Sequence, residues 1–150
     1  MVYQWLKYNL SRIFPAQCLV CGETCTGMAL CQDCEQELTL NRHACQRCAE
    51  PLSEGYHNSL CGRCLKQTPS FDKVLSPYLY QAPIDRLVTR FKFNADHTAG
   101  QVLVRLLGQY LQQHVPDKPE CLVPVPLHPS RLRERGFNQA HEFWRVKPAT

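Results

Sequence analysis

The sequence predicts two unlike parts: a small cysteine-built module with little regular structure, and after it an α/β unit. Three observations lead there. Eight of the ten cysteines fall into four Cys-x-x-Cys pairs between residues 18 and 64. From Pro83 to Leu111, apolar residues recur at helical spacing. Two short apolar runs punctuated by proline, 74–80 and 121–127, flank those stripes and read as strands. A strand, two helices and a strand in that order suggest an α/β unit.

Taken in order, residues 1–17 read as a docking helix whose apolar residues are Trp5, Leu6, Leu10, Ile13 and Phe14, stopped by Pro15. Gln4, Lys7, Asn9 and Arg12 interrupt every apolar run there, and no small-residue cleavage site follows, so the segment does not resemble a signal peptide. No stretch of the sequence approaches the ~18 apolar residues of a membrane span.

Residues 18–66 hold the four pairs: Cys18/Cys21, Cys31/Cys34, Cys45/Cys48 and Cys61/Cys64. Four thiolates on two such knuckles make one tetrahedral zinc site, so four knuckles make two. A disulfide framework belongs to secreted chains, and four separate redox dithiols in one chain are hard to justify. The expected compartment is therefore reducing, that is, cytoplasmic. Four sulfurs close each site with no position left for water, which makes the two zinc ions structural. Gly22 suits the turn after Cys21 because it lacks a Cβ. Nine residues separate the first two knuckles and twelve the last two. Sequential pairing therefore closes shorter loops than an interleaved cross-brace and is favoured. Cys25 reads as a spare thiol, Cys121 as a core residue, and His43 and His57 as surface residues. Glu35–Leu40 reads as a short helical extension of the second knuckle.

Residues 67–140 form the second part. After a linker at 66–70 come the 74–80 strand, with Pro77 marking an edge or bulge, and two helices. One carries Ile84, Leu87, Val88 and Phe91; the other carries Leu103, Leu106, Leu107, Tyr110 and Leu111. Core packing accounts for both stripes. Charge divides the chain: residues 1–64 hold five Lys/Arg against six Asp/Glu, and residues 65–150 hold twelve against seven. The basic surface belongs to the second part, which permits contact with phosphates without requiring it.

The 121–127 strand leads into a loop, His128-Pro-Ser-Arg-Leu-Arg-Glu-Arg-Gly-Phe-Asn-Gln-Ala140, ahead of what looks like a helix start. Loops leaving strand ends are where open α/β sheets bind ligands, and arginine matches phosphate oxygens as a fork. Arg131, Arg133 and Arg135 fit a diphosphate, although a solvated basic loop explains them equally well from residue types alone.

Four knuckles ahead of Val-Pro-Val-Pro-Leu-His-Pro-Ser-Arg-Leu-Arg-Glu-Arg-Gly-Phe-Asn-Gln-Ala resemble the ComF family, in which a double zinc ribbon precedes a type I phosphoribosyltransferase-like domain. Phe14-Pro-Ala-Gln-Cys-Leu-Val-Cys-Gly22, Cys61-Gly-Arg-Cys64 and Phe91-Lys-Phe93 fit the same pattern. The resemblance implies that residues 121–140 are the first core strand, pyrophosphate loop and next helix start of that domain. Arg131, Arg133, Arg135, Gly136, Asn138 and Gln139 would then line the phosphate end of a phosphoribosyl pyrophosphate pocket. It also implies a role in DNA uptake or utilisation, with single-stranded DNA or a helicase-like uptake protein as partner.

The family continues into an acidic-acidic loop rich in Thr and Gly, which holds the ribose. This sequence has no two adjacent acidic residues, and residues 141–150 read as a divergent tail. The expected fold class is therefore a small zinc-ribbon module followed by an incomplete α/β phosphoribosyltransferase-like domain, C-terminally truncated. Magnesium with phosphoribosyl pyrophosphate is expected only for a complete domain, and independent catalysis is not expected. An active phosphoribosyltransferase and a free-standing zinc-ribbon binding module are the competing readings.

Overall fold

The computed structural model describes residues 16–116 and 119–145. The expected N-terminal helix lies outside them, apart from residues 16 and 17, as does the end of the tail from 146 on.

The chain opens with a two-stranded antiparallel hairpin, β1 (Ala16–Gln17) and β2 (Thr24–Cys25), in the register Ala16↔Cys25 and Gln17↔Thr24. The short helix α1 (Gln32–Gln36) follows. It begins inside the second knuckle, not after it, because the Cys31 sulfur accepts from the Cys34 N–H at 3.5 Å and so starts the helix. The expected extension over 35–40 thus lies one turn too late. A second copy of this plan runs from residue 43 to α2 (Gly62–Lys66). There the hairpin shrinks to a single bridge, Ala44↔Pro51, since Pro51 has no N–H to extend the ladder.

The 74–80 segment is not a strand. It pairs with 39–41 only through Asn41 N–H to Pro77 O at 2.8 Å, Leu79 N–H to Thr39 O at 3.0 Å and one bridge, Leu40↔Tyr78. Pro77 supplies no donor, which limits the pairing to this fragment.

Helices α3 (Ile84–Phe93) and α4 (His97–His114) form an antiparallel hairpin. Asp85 in the first turn of α3, and Arg90 and Lys92 in its last, complement the helix dipole. Asp96 caps α4 by accepting from the Ala99 N–H at 3.1 Å. Gly100 is where the helices touch most closely: a Cβ there would lie 2.6 Å from the Phe91 ring. The stripe on α4 is rotated from the expected one. Ala99, Val102 and Leu106 are buried, whereas Leu107, Tyr110 and Leu111 stay half-buried because they lie past the end of α3.

One apolar core joins the first ribbon to this hairpin. Cys18, Ala29, Leu30, Cys34 and Leu38 pack with Ile84, Leu87, Val102 and Leu106. Leu87 is 0% exposed and Leu106 1%. Each such leucine contributes about 1.5–3 kcal/mol by leaving water. The second ribbon has its own small cluster, Cys45, Cys61 and Cys64 with Cys48, Leu52 and Leu60.

Beyond the hairpin, residues 121–127 form no strand, and Cys121 is exposed instead of buried in a core. Val123 and Val125 remain 80% and 74% exposed. Pro124 and Pro126 remove alternate donors, and among the described residues no neighbouring strand offers a ladder. The expected arginine loop is a helix, α5 (Pro129–Arg135), with proline in its first turn and the His128 ring nitrogen accepting from Ser130 N–H at 3.3 Å. Gly136, at φ 77°, ends it. The helix α6 (Gln139–Arg145) then runs past residue 140, so helical backbone continues into the stretch expected to diverge. No helix among the described residues is long and apolar enough to cross a membrane.

Candidate metal centres

Each ribbon brings four sulfurs together. Cys18, Cys21, Cys31 and Cys34 form one cluster and Cys45, Cys48, Cys61 and Cys64 the other, with all sulfurs of a cluster within 4.8 Å of one another. The pairing is sequential.

The local backbone explains the clustering. The Cys18 N–H donates to Glu23 O at 2.8 Å and the Gly22 N–H to Cys18 O at 2.9 Å, which wraps the first knuckle into a tight turn. In the second ribbon Cys45 N–H donates to Glu50 O and Ala49 N–H to Cys45 O, each at 2.9 Å. Gly22 and Ala49 occupy the same place in the turn, at φ 80° and 59°. This left-handed conformation suits glycine and strains alanine. The other two sulfurs of each site come from a short helix: Cys31 and Cys61 precede α1 and α2, and Cys34 and Cys64 sit inside them.

The electrostatics favour a cation at both centres. Burial works against ionising Cys18, but the backbone N–H groups of Cys21, Cys31 and Val20 beside its sulfur hold the thiol down at about 6. At Cys45 burial is likewise outweighed by the N–H groups of Cys48, Cys61 and Arg47, and the thiol again falls to about 6. Burial and the neighbouring sulfurs push Cys34 far up, and Cys64 up to about 12. Four clustered sulfurs cannot all ionise unaided, whereas a metal ion replaces their protons. The spacing fits zinc. Tetrahedral Zn–S bonds of about 2.3 Å place sulfurs roughly 3.8 Å apart, and the pairs Cys21–Cys31 and Cys48–Cys61 each lie at 3.7 Å.

Cys25 is kept out of the first cluster. Its thiol donates to Met28 O at 3.0 Å and Ala16 O at 3.4 Å, and burial together with the Cys18 and Cys31 sulfurs raises its pKa. His43 and His57 are exposed, and neither belongs to a cluster. Arg63 lies beside the Cys48 sulfur and pairs with Glu50 at 3.1 Å on the surface.

The six residues expected to face a diphosphate are distributed over α5 (131, 133, 135), the turn after it (136, 138) and the first residue of α6 (139). Arg131 and Arg133 are exposed, and Arg131 pairs with Glu134 at 2.7 Å. Arg135 is half-buried, donates to Gln139 Oε1 at 3.1 Å and lies 5.4 Å over the Phe93 ring. The Asn138 side chain donates to Val125 O at 3.2 Å and accepts from Ala140 N–H at 3.0 Å, while Gln139 is buried. Arg131 and Arg135, four apart, share a helix face; Arg133 lies on another. Sequence reasoning missed Arg90, whose guanidinium spans Asp96 and the first knuckle. Its only sequence signal was a position off the apolar stripe of α3.

The signature of the double zinc ribbon domain matches residues 9–65. Competence protein F of Haemophilus influenzae is 37% identical over 115 residues, which is 74% of this chain and 49% of that protein. Competence protein ComFC of Bacillus subtilis is 32% identical over 119 residues, 75% of this chain and 48% of its own length. DNA utilization protein YhgH of Salmonella typhimurium is 30% identical over 136 residues, 84% of this chain and 57% of its own. The chain thus spans about half the length of the curated relatives it matches. No solved structure matches it.

Proposed function

Because the chain belongs to the ComF family and carries its double zinc ribbon, we propose that it serves DNA utilisation by binding, with two structural zinc ions holding its N-terminal half. The observation that carries this reading is the pair of four-sulfur clusters, in a chain whose matched relatives are named for competence and DNA utilisation. Zinc at these sites supplies folding energy instead of chemistry; the residues around it fix the knuckles and leave no ligand position for substrate.

The second part contributes the phosphate contacts. Residues 121–140 correspond in this reading to the pyrophosphate-facing portion of a phosphoribosyltransferase-like site, with Arg131, Arg133, Arg135, Gly136, Asn138 and Gln139 toward the phosphates. The exposed arginines on α5 equally suit the backbone of single-stranded DNA, where phosphate neutralisation dominates affinity. Turnover of phosphoribosyl pyrophosphate also needs magnesium and ribose contacts. These 150 residues hold no adjacent acidic pair of the kind that would supply them.

Single-stranded DNA binding measured across a salt series tests the reading. Changing Arg131, Arg133 and Arg135 together to alanine should lower the slope of log affinity against log salt by about 2, since each single-strand phosphate contact contributes about 0.7. An unchanged slope would assign any binding to the ribbons, and no binding at all would remove the DNA role from this chain.

A further inference from the structure

The geometry points to Arg90 as a positioning residue for the first four-sulfur site: it fixes the Cys18–Cys21 knuckle in its metal-holding shape and ties that shape to the α3–α4 hairpin. This rests on the zinc reading above and extends it from the ligands to a residue 71 positions beyond Leu19 in sequence.

Arg90 projects from α3 and uses both sides of its guanidinium. Nη1 donates to the Leu19 carbonyl at 3.1 Å, inside the knuckle. Nε and Nη2 both reach Asp96 Oδ2 at 2.9 Å. Asp96 Oδ1 accepts from the Ala99 N–H, so the same carboxylate caps α4. One ion pair therefore links the knuckle, the end of α3 and the start of α4.

The gripped carbonyl has a particular place in the site. It belongs to the Leu19–Val20 peptide, which lies between the two ligands Cys18 and Cys21. A trans peptide is planar, so holding the oxygen fixes the plane of a peptide that joins the two ligands of the knuckle. On the other side the Leu19 N–H donates to Ala29 O at 3.0 Å, which leaves the knuckle little freedom to turn.

The second ribbon is an internal control. Gln46 N–H donates to Ser59 O at 2.9 Å, as Leu19 does to Ala29 at 3.0 Å. Among the described residues, no guanidinium reaches the matching Gln46 carbonyl. A lysine at position 90 could satisfy Leu19 or Asp96 but lacks the planar fork that serves both.

The test uses the full zinc-loaded chain and the variants Arg90→Gln, Arg90→Lys and Asp96→Asn. Metal content is measured first. Zinc release to a chromophoric chelator is then followed alongside hydrogen exchange of peptides covering 18–22, 45–49 and 84–114. Arg90→Gln should release one of the two zinc ions about tenfold faster, a usual cost for removing an outer-shell partner. Peptides 18–22 and 84–114 should lose protection together, while 45–49 is unmoved. Arg90→Lys should fall between Gln and the parent. Asp96→Asn, which can still cap α4, should speed release from the same site and keeps the idea testable if Arg90→Gln folds poorly. Unchanged release in all three variants, or equal shifts at both knuckles, would overturn the role of Arg90 while leaving the zinc reading intact. A parent protein that binds no zinc would overturn both.

Discussion

The two ribbons share a backbone plan and differ in what lies beneath them. Their knuckles are offset by 27 residues at the first pair (18 to 45, 21 to 48) and by 30 at the second (31 to 61, 34 to 64). Both wrap the first knuckle with the same two backbone bonds and place the later cysteines at a helix start. Yet the first is continuous with the core of the helical hairpin, and the second closes on its own sulfurs and two leucines. The cause lies outside the ligands. Ala29 and Leu30 ahead of Cys31 are buried, whereas Ser59 at the matching place is exposed and Leu60 half-buried. A four-sulfur centre thus supplies local order wherever the spacing is right. Whether it also organises its surroundings depends on the apolar residues between the ligands.

The largest expected effect separates the two sites. Cys34→Ser should abolish metal at the first site and remove most of the far-UV helical signal, because the hairpin loses the surface it packs on. Cys64→Ser should abolish the second site and leave that signal nearly intact. Equal losses would break the comparison. Structural zinc contributes on the order of 10 kcal/mol or more in isolated zinc-finger peptides, so the first variant is not expected to be rescued by the remaining core.

Within that core, Leu87→Ala should cost about 2–5 kcal/mol in denaturant unfolding followed by helical signal. The same variant should leave the zinc stoichiometry of the second ribbon unchanged.

A smaller pair of changes sharpens the likeness of the two turns. Gly22→Ala should destabilise the first knuckle by about 1 kcal/mol, since alanine resists φ 80°. Ala49→Gly should relieve the strain at φ 59° and raise the resistance of the second ribbon to chelation. Opposite signs at equivalent positions are the expected result, read as midpoints of zinc loss to a chelator.

The smallest effect belongs to the Glu50–Arg63 pair, whose side chains are 51% and 75% exposed. Glu50→Gln should leave the melting temperature unchanged, because solvent screens such a pair. A clear drop would show that Arg63 must be held in place beside the Cys48 sulfur.

Cysteine spacing made both clusters and their sequential pairing legible, because short loops leave few ways to close four sulfurs. The helical hairpin was legible as period. What the sequence hid were the long-range terms. Nothing local to Leu30 or Leu38 says that they meet Leu87 and Leu106, and nothing near Arg90 names Leu19 as its acceptor. The strands at 74–80 and 121–127 were read from apolar content, but a strand needs partners and donors. The prolines at 77, 124 and 126 remove donors. The arginine-rich stretch reads as a loop because it follows the expected 121–127 strand; the proline at its start and Gly136 at its end are the helix signals.

The central claim is that each ribbon is closed by its own zinc ion. The direct measurement is metal content per chain on purified, reduced protein, by plasma mass spectrometry and native mass spectrometry together. Two zinc ions per chain, falling to one in Cys34→Ser and to one in Cys64→Ser, is the predicted result. Zero or one zinc in the parent, or both ions lost on removing either ligand, would contradict it.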